Sequence, residues 1–578
     1  MVNISKNNNI KFPENNSLSE NNCNVVLFTS ATHLGLWLAF LLDISFWLID
    51  QLQAEVIEKK QPIHIKIILL PANSSQINPI KKLLRESIKK LIRFLPNIIK
   101  PKKFLHQNSL YNQIHSGKEV HLQFGQNSCR FNYYNNLSFK NIFIFLKSYF
   151  IAITLWLKCY QGGHFSVQKF LKLNYQKIQI GTYIASTTLR EKSRLGGSLK
   201  PCYKLFSNLV NSIYICNLCQ VLPIDKSNEN YSVLPEPIYY SHIYSEALHD
   251  LGATIIDQQF YYNRYGLIKP NQKRLNSLII RKPKIRSCSL VEKKQVENYM
   301  NIRLNHSNQV LNYMLFGQNE NRTSDIKDIS GNTILLSDSS LYVVIFLHSF
   351  DDAQYIYGYD GFDDLYHWTI FTIDNCLMNS SINTIFIKQH PNVDYNLYPG
   401  DYKALKEIIK KYKGNKQIIF LNKSSSIIAL AKKTHVVGIT HHGSIAEEFV
   451  YLHQPVIASV FAPWYSNYSF ARTWQNPEEY KNMLSSLSLE TWSPVSESEL
   501  QSLFSYILEY RLNEFAVKFY EQKNGRMIQF AKVFFNNEDI ELTKENYDLA
   551  EKALREMSCD DEVFQNYINF LTKYHSLN

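Results

Sequence analysis

Residues Thr434 to Val460 read THVVGITHHGSIAEEFVYLHQPVIASV, and this stretch decides the fold. The β-branched run Val436 to Ile439 predicts a buried strand, and the polar turn after it leads into helix-compatible sequence from Ile445. A second strand-like run, Val456 to Val460, follows a Gln-Pro turn. Strand, small-residue turn, helix and strand in this order form the repeating unit of a parallel sheet. The stretch therefore predicts an α/β fold.

The turn between that strand and helix carries groups that suit a phosphate. Gly443 allows a turn that bulkier residues resist, and the N–H groups at a helix start form an anion site. Ser444 can add a hydroxyl, and His441 or His442 a further donor. Because serine at a helix start is also a common N-cap, a purely structural role for Ser444 stays open.

Two acidic residues, Glu447 and Glu448, fall in the first turn of the predicted helix. The helix dipole favours carboxylates at this position, which is one sufficient reason for both. Glu448 is also placed where it could reach the ribose hydroxyls of a nucleotide. Both interpretations remain open at this point.

The composition is that of a large globular protein. A length of 578 residues predicts two large domains or more, and 45% hydrophobic residues supply ample core. The formal charge of +12 suits anionic partners such as a nucleotide, a phospholipid surface or an acidic glycan. The sequence has no dense basic tract of the kind that predicts nucleic-acid binding.

Cysteine usage and the apolar segments favour a cytoplasmic protein. Nine cysteines without regular spacing fit reduced thiols, and the lone Cys216/Cys219 pair is weak evidence for metal or redox chemistry. Residues 1–22 are polar and Asn-rich, which predicts a disordered leader rather than a signal peptide. The apolar segments 34–49 and 142–157 are short and each contains a charge, so they predict buried or interfacial helices rather than membrane spans.

The N-terminal domain is predicted over residues 23–330. Asn24 to Ser30 and His64 to Leu70 read as strands around a helix, which is a Rossmann-like βαβ opening. His33 follows the first strand at the edge where ligands bind, so it is a candidate general base. A hydrogen bond within the turn is the alternative role for His33.

Residues 80–95 form the clearest amphipathic helix in the sequence, IKKLLRESIKKLIRFL. One face is apolar and the others are crowded with lysine and arginine. Such a helix could dock on the anionic inner face of a membrane, each basic residue contributing about 1 kcal/mol. The alternative is an ordinary domain helix with a solvated basic face.

The sequence between residues 105 and 330 gives fewer signals. Lys177 to Ala185 predicts a strand, and Ser186 to Arg190 a polar turn with phosphate-compatible donors. A helix is predicted at Tyr239 to Leu251, with Gly252 as its stop and ATIID as the next strand. Polar residues 289–330 are interpreted as the connection between domains.

The second domain is predicted over residues 335–480, followed by a helical segment at 481–578. Its predicted strands are Leu341 to Leu347, Thr384 to Lys388, Gln417 to Leu421, Val436 to Ile439 and Val456 to Val460. Helices are predicted at Asp364 to Leu377, Asp401 to Lys413 and Ser425 to Lys433. This alternation predicts a parallel sheet with helices on both faces.

Two further polar clusters follow strands of this domain. His348, Ser349 and Asp351 come after the first, and the run Lys388-Gln389-His390-Pro391-Asn392 comes after the second. Pro391 forces His390 into extended geometry, and Lys388 and His390 can both donate to phosphate. Since carboxyl ends of parallel strands share one edge of a sheet, these clusters should converge with the turn at residues 440–444 on one ligand site.

These motifs resemble the nucleotide-sugar half of GT-B glycosyltransferases. The similarity rests on Lys388 to Asn392, on Thr440-His441-His442-Gly443-Ser444 with Glu448, and on the run Gln454 to Ile457, over about residues 340–460. It is strongest to bacterial enzymes of capsule and lipopolysaccharide assembly, including the Kdo-transferase and sialyltransferase-like groups with an HP motif. Over residues 1–330 the similarity is architectural only.

The resemblance implies two Rossmann-like domains that face a cleft, with the donor nucleotide on the C-terminal one. His390 would contact the donor phosphate or protonate the leaving group, Ser444 and the Gly443 backbone would hold a phosphate, and Glu448 would bind the ribose. The resemblance also implies a metal-independent reaction with no cofactor, in which the nucleotide-sugar is a substrate. Donor-binding roles extend to His348, Ser349, Lys388, Pro391, Asn392, Thr440, His441 and His442. His33 and Asp351 are the candidates for the base that activates a glycan or glycolipid acceptor.

Three other functions remain open. A polyol-phosphate transferase of the teichoic-acid kind would use a CDP-linked donor on a similar fold. A nucleotide-sugar epimerase would use the same donor class. A catalytically idle scaffold in a polysaccharide export complex would keep the fold without the reaction.

Overall fold

Two β-sheets with parallel central strands organise the chain. The computed structural model describes residues 25–30, 45, 48, 64–70, 120–124, 127–133, 139–191, 199–222, 224, 229–234, 242–257, 266–270, 287–304, 325–337, 339–350, 355, 358–390, 399–422, 425–432, 435–462, 464, 468–512, 530–537, 546, 549, 550, 552, 553, 562, 563 and 565–569. The α/β class with parallel sheets, predicted from the sequence, is confirmed.

Among the described residues, the N-terminal unit contains a seven-stranded sheet and five helices with defined bounds. Its strands are β1 Val25–Ser30, β2 His64–Leu70, β3 Val120–Phe124, β4 Asn127–Tyr133, β5 Tyr160–Gln161, β6 His164–Phe165, β7 Asn174–Tyr175, β8 Ile178–Gln179, β9 Glu229–Leu234, β10 Thr254–Asp257 and β11 Gly266–Ile268. Its helices are α1 Phe139–Lys158, α2 Val167–Leu171, α3 Ile180–Glu191, α4 Tyr203–Cys219 and α5 His242–Asp250.

The order of the large sheet is β11-β10-β9-β1-β2-β4-β3, with the short strands β5 to β8 forming two separate hairpins. Strand β1 pairs in parallel with β2 and with β9, so the predicted βαβ opening has the expected strand direction. Antiparallel pairs occur at both edges of the sheet. The chain thus runs outward from β1 in two directions, as in doubly wound folds.

Helix α1 is the one helix in the described part of the chain that is long and apolar enough, by length and composition, to cross a membrane. One of its faces packs on α4, where Asn141, Phe145, Ser148 and Ala152 are buried. The sequence predicts a buried or interfacial helix over residues 142–157. The structure places a buried face and an exposed face on the same helix.

The predicted strand from Lys177 to Ala185 is wrong, because the chain enters α3 at Ile180. The hydroxyls of Thr187 and Thr188 donate to carbonyl oxygens four residues earlier, so these β-branched residues are satisfied within a helix. Gly181 lies against the backbone of Phe170, where a Cβ would lie 2.0 Å from the carbonyl oxygen. Tertiary packing against α4 therefore overrides the local β propensity.

The C-terminal unit repeats the pattern with a six-stranded, wholly parallel sheet. Its strands are β12 Leu341–Phe346, β13 Ile382–Lys388, β14 Ile418–Leu421, β15 Val436–Ile439, β16 Val456–Ser459 and β17 Arg472–Trp474. Its helices are α6 Leu290–Leu304, α7 Leu365–Met378, α8 Pro399–Tyr412, α9 Ile427–Ala431, α10 Ile445–Tyr451, α11 Pro477–Ser485 and α12 Glu497–Tyr510.

The strand order in this unit is β14-β13-β12-β15-β16-β17. The chain moves outward from β12 to β13 and β14, then returns to place β15 on the other side of β12. The pair β12/β15 is therefore the topological switch point, beyond whose carboxyl ends open α/β sheets form a ligand crevice.

The C-terminal unit is larger than the sequence predicts. Helix α6, expected to lie in the connection between domains, buries Val296 and Met300 in the same core as Phe449. Helix α12, expected in a separate helical segment after residue 480, buries Leu503 and Ile507 there too. Both helices complete the packing of the sheet, so the unit includes sequence before residue 335 and after residue 480.

Candidate active site at the carboxyl edge of the second sheet

The three polar clusters predicted to converge do lie on one edge of the C-terminal sheet. His348 follows β12, His390 follows β13, and His441 and His442 follow β15. The rings of His348 and His442 stack with centroids 4.2 Å apart, and the centroid of His441 lies 6.3 Å from that of His348. These four residues are named the histidine cluster below.

The proton on His348 is fixed by a backbone contact. The His442 N–H donates to Nε2 of His348 at 3.2 Å, so that nitrogen is an acceptor and the neutral ring carries its proton on Nδ1. The Thr440 hydroxyl lies 3.1 Å from the same nitrogen and therefore donates to it as well. Thr440 thus orients an imidazole of the site.

A carboxylate orients the other two rings. Asp360 Oδ2 lies 2.6 Å from Nε2 of His441, and the Ser459 hydroxyl donates to the same oxygen at 3.0 Å. Nδ1 of His441 then lies 2.8 Å from Nδ1 of His442. When both rings are neutral, His441 donates to Asp360 and accepts from His442, which leaves the lone pair of His442 on Nε2.

Burial keeps His348 and His442 uncharged. Burial lowers the pKa of His348 well below its usual value, and the neighbouring imidazoles, His442 first, lower it further. The pKa of His442 is lowered well below 6.5 by burial and then by His441 and His390. Protonation of these rings is therefore costly unless an anion neutralises the charge.

Gly443 is required for space rather than for an unusual turn. Its φ angle is not among the left-handed ones, but a Cβ there would lie 2.6 Å from the Thr440 hydroxyl and 3.1 Å from Cε1 of His348. Ser444 precedes α10 and makes no side-chain cap hydrogen bond. The structural alternative for Ser444, a side-chain N-cap, is thus not the geometry observed.

Glu447 and Glu448 take part in a buried ion-pair network instead of facing solvent at the helix start. Arg303 of α6 donates from Nε to Glu448 at 2.9 Å and also to the Ser444 carbonyl at 3.2 Å. Arg511 donates to both oxygens of Glu447, at 2.6 and 3.2 Å. The network fixes α10, and with it the turn that carries the histidines, against α6 and the end of α12.

Glu448 retains one unsatisfied oxygen. Its Oε2 atom is buried and accepts no hydrogen bond from the described residues. The predicted contact with ribose would therefore have to reach a carboxylate whose Oε1 is held by Arg303 and whose Oε2 is shielded from solvent.

Two predicted donor-binding side chains have protein partners. The Ser349 hydroxyl donates to Asp401 at 2.5 Å, so Ser349 attaches the end of β12 to α8. The Lys388 ammonium donates to the Asn422 carbonyl at 2.9 Å, beyond the end of β14. His33, Asp351, Pro391 and Asn392 lie outside the described residues, as does the amphipathic segment 80–95.

Asp360 and Arg303, the two residues that orient the site, carry no role predicted from the sequence. Asp360 lies between Gly358 and Gly361, whose φ angles of 138° and 101° exclude most other residues. Two glycines flanking an acid after a polar cluster were the only available signal. Arg303 gave none, because its helix was interpreted as a connection.

No group of three or more His, Cys, Asp or Glu side chains within the described ranges is arranged to hold a metal ion. Cys216 and Cys219 are both buried in the core of the N-terminal unit, and burial raises the pKa of each thiol. Neither thiol is placed for metal or redox chemistry.

Comparison with known proteins finds only distant similarity. No protein-family model and no curated protein sequence matches the chain. Among solved structures, it is similar to Thermosulfurimonas dismutans KpsC, a beta Kdo 2,4 transferase, at 10% identity and a TM-score of 0.27, over 48% of this chain and 79% of that one.

Trehalose-metabolism proteins give matches of similar quality. A UDP-forming alpha,alpha-trehalose-phosphate synthase from Burkholderia vietnamiensis is 9% identical, with a TM-score of 0.27 over 87% of this chain and 99% of that one. The N-terminal domain of Candida albicans trehalose-6-phosphate phosphatase is 12% identical, with a TM-score of 0.25 over 90% and 100%. At these TM-scores the matches carry no conclusion beyond the α/β class that the two sheets themselves show.

Proposed function

We propose that this chain is a GT-B-type glycosyltransferase that moves a sugar from a nucleotide-activated donor to a surface polysaccharide or lipid-linked glycan. A CMP-sugar such as CMP-Kdo is the first candidate for the donor. One observation carries the proposal: four histidines from three neighbouring strands meet at the switch point of a parallel sheet, where such folds bind nucleotides.

The chemistry of glycosyl transfer suits this cluster. The nucleotide leaves as a phosphate or diphosphate, so the site must stabilise negative charge as it develops. Buried neutral imidazoles can donate hydrogen bonds to that charge or take up a proton when it forms. His390, half-buried beside His348 and His442, is the ring assigned to the departing phosphate.

The remaining roles extend the sequence predictions. Glu448 would bind the ribose, as the sequence predicts; because Arg303 holds its Oε1 and its Oε2 is buried, donor binding would have to expose that second oxygen. The N-terminal unit would bind the acceptor, with His33 or Asp351 as the base. We assign the reaction no metal, and we place the protein on the inner face of the plasma membrane, with residues 80–95 against anionic lipid.

The test is a thermal-shift screen of the purified chain with CMP, UDP, GDP and CDP. A nucleotide that binds only the folded state raises its apparent stability, by about 2.7 kcal/mol at a concentration one hundred times Kd. We expect protection by at least one nucleotide, and loss of that protection in His390→Ala and Ser444→Ala. CDP-selective protection would favour the polyol-phosphate transferase instead.

The matched control is His453→Asn. His453 is an exposed histidine just after α10 with a φ of 62°, a conformation that asparagine tolerates. This variant should keep the full protection. Equal protection of the wild type and both site variants would remove the site assignment, and nucleotide binding without donor hydrolysis or transfer would point to a scaffold.

A further inference from the structure

Helix α1 exposes a continuous apolar stripe. Phe139, Phe143, Leu146, Phe150, Ile153 and Leu157 recur at alternating spacings of four and three residues, and all six are exposed. The exposed fraction reaches 93% at Phe139 and 69% at Phe150. Scattered exposed apolar residues are ordinary, but a contiguous row of this length marks a surface that contacts something else.

The opposite side of the same helix is fixed to the protein. Phe145 packs edge-on against Tyr214 of α4, and Asn217 of α4 donates to the Ser148 hydroxyl at 2.9 Å. Tyr149 and Trp156 both contact the Phe206 ring of α4. A helix held along its length in this way cannot cross a bilayer alone, but its free face can lie flat in the surface of one.

The charge of the surrounding sequence is one-sided. Residues 120–190 contain eight lysines and arginines and no aspartate or glutamate. Lys140, Lys147 and Lys158 lie on α1 itself and are exposed. A long apolar row bordered by lysines, without a single carboxylate, complements the interface of an anionic membrane.

The same charge pattern disfavours a second copy of the chain as the partner. The stripe has the spacing of a coiled-coil seam, in which flanking charges of opposite sign normally pair between helices. Helix α1 carries lysines beside the stripe and no acidic residue to pair with them. A homodimer through this face would therefore bring like charges together without compensation.

We propose that α1 is an interfacial anchor that lies in the plane of an anionic membrane with its apolar stripe in the boundary between headgroups and acyl chains. This surface is distinct from the amphipathic segment predicted at residues 80–95. The proposal does not depend on the reaction that the C-terminal unit catalyses. It places the outer face of α1 on lipid and fixes one orientation of the N-terminal unit to the membrane.

The test measures vesicle binding by flotation of the full chain. Vesicles of phosphatidylcholine alone are compared with vesicles that contain about 30% phosphatidylglycerol, at about 0.1 M and about 0.5 M salt. The wild type should bind the anionic vesicles. The double variant Phe143→Gln/Phe150→Gln, which keeps good helix formers at exposed positions, should lower the partition coefficient roughly tenfold or more at both salt concentrations.

A second variant separates the two contributions. Replacing Lys140, Lys147 and Lys158 with glutamine should lower binding to anionic vesicles about fivefold per lysine at low salt and little at high salt. A loss of vesicle binding by the phenylalanine variant at high salt, where electrostatic attraction is screened, measures the contribution of the stripe separately from that of any basic segment elsewhere in the chain.

The control variant is Leu335→Gln/Met378→Gln, which removes two exposed apolar residues of the C-terminal unit, at 92% and 75% exposure. It should bind vesicles like the wild type. Wild-type binding that is absent, or equal in the phenylalanine variant, overturns the proposal. A dimer in sedimentation that the phenylalanine variant abolishes, without vesicle binding, would identify a second copy as the partner and overturn it as well.

Discussion

At the scale of single residues, Asp360 determines which nitrogen of His442 is basic. The carboxylate can only accept, so a neutral His441 presents an N–H to it and an acceptor to His442. Asparagine in its place can donate to His441 Nε2, which would reverse both tautomers and move the proton of His442 to Nε2. The positions of the rings would change little, but donor and acceptor would be exchanged in both hydrogen bonds, from residue 360 to His441 and from His441 to His442.

We therefore expect Asp360→Asn to lower the rate of the proposed glycosyl transfer by a factor of up to about 10⁴, the loss known for a carboxylate-to-amide change that leaves a catalytic histidine in the wrong tautomer. The free energy of unfolding should fall by about 1–3 kcal/mol, because a buried charge-assisted hydrogen bond is lost. The loss is limited because Ser459 keeps a partner of similar shape. Steady-state rates and urea unfolding measure the two effects. Asp374→Asn is the control, because the Asp374 carboxylate on α7 binds Lys411 and Tyr412 rather than a histidine. An unchanged rate in Asp360→Asn would exclude the tautomer mechanism.

The lowered pKa values of His348 and His442 predict a pH dependence of stability. An unfolded histidine titrates near 6.5. Below that pH the unfolded chain is protonated at these positions, whereas His348 and His442 in the folded chain stay neutral. The contribution of the two histidines to the free energy of unfolding is thus complete above pH 6.5. It is lost as the pH falls toward their pKa values in the folded state. The slope is at most about 1.4 kcal/mol per pH unit for each histidine.

Chemical denaturation between pH 7.5 and about 5 measures this slope. His348→Gln should reduce it, and His453→Asn should leave it unchanged because that histidine is exposed. His367 contributes with the opposite sign, since its hydrogen bond to Asp364 raises its pKa, and the comparison between variants cancels that term. A slope identical in the wild type and His348→Gln would contradict the assigned neutral state.

The histidines of the site were predictable because they directly follow β-branched runs, and the edge of a parallel sheet collects such residues. Their hydrogen-bond partners were not predictable. Asp360 reaches His441 through a glycine-flanked loop whose path is set by contacts with Phe461 and Pro477 in the folded chain. The local sequence does not predict which residues such a loop contacts in the folded chain.

At the scale of elements, the turn from β15 to α10 is limited by the space around Gly443. A methyl group there would collide with Thr440 and His348, two residues that shape the histidine cluster. We expect Gly443→Ala to destabilise the fold by about 1–3 kcal/mol, the usual cost of overpacking, and to weaken nucleotide protection. Ser444→Ala is the neighbouring control for stability.

Ser444 makes no cap hydrogen bond, so its replacement by alanine should change unfolding free energy by no more than about 0.5 kcal/mol while still weakening ligand binding. Thermal unfolding with and without nucleotide separates the two outcomes. A stable Gly443→Ala variant with full protection would show that the turn relaxes freely, contrary to the close contacts.

The regular elements of the C-terminal unit follow the sequence prediction more closely than those of the N-terminal one. Strand β15 has the predicted bounds, and the predicted start of α7 at Asp364 is its observed N-cap. Strands buried on both faces read as continuous apolar runs, so they are visible locally. Helix α3 was mistaken for a strand because its threonine and isoleucine residues are buried on several sides, which removes the helical period.

At the scale of the whole molecule, the segment after β12 links the two units. Tyr355 packs in the core of the N-terminal unit and donates through its hydroxyl to the Asp363 carbonyl at 2.7 Å. A few residues away, Asp360 orients the histidine cluster. The same short segment therefore contacts the N-terminal core and supports the site on the C-terminal sheet, so movement between the units would be transmitted to His441.

Asp364 connects the units through one carboxylate. Its Oδ2 accepts the buried Leu199 N–H of the N-terminal unit at 2.7 Å, and its Oδ1 caps α7 by accepting the His367 N–H at 2.8 Å. Serine keeps a capping oxygen but is too short to reach Leu199, whereas alanine loses both contacts. The two substitutions therefore separate the contact between the units from the helix cap.

We expect Asp364→Ser to cost about 1–3 kcal/mol through the unpaired Leu199 N–H, and Asp364→Ala to cost about 0.5–2 kcal/mol more through the lost cap. Hydrogen exchange distinguishes them locally. Exchange at Leu199 should accelerate in both variants, because both lose the bond between units, while exchange in the first turn of α7 should accelerate only with alanine. If exchange at Leu199 matched the wild type in both variants, the Asp364 carboxylate would not hold the units together, and any coupling between them would rest on the Tyr355 contact alone.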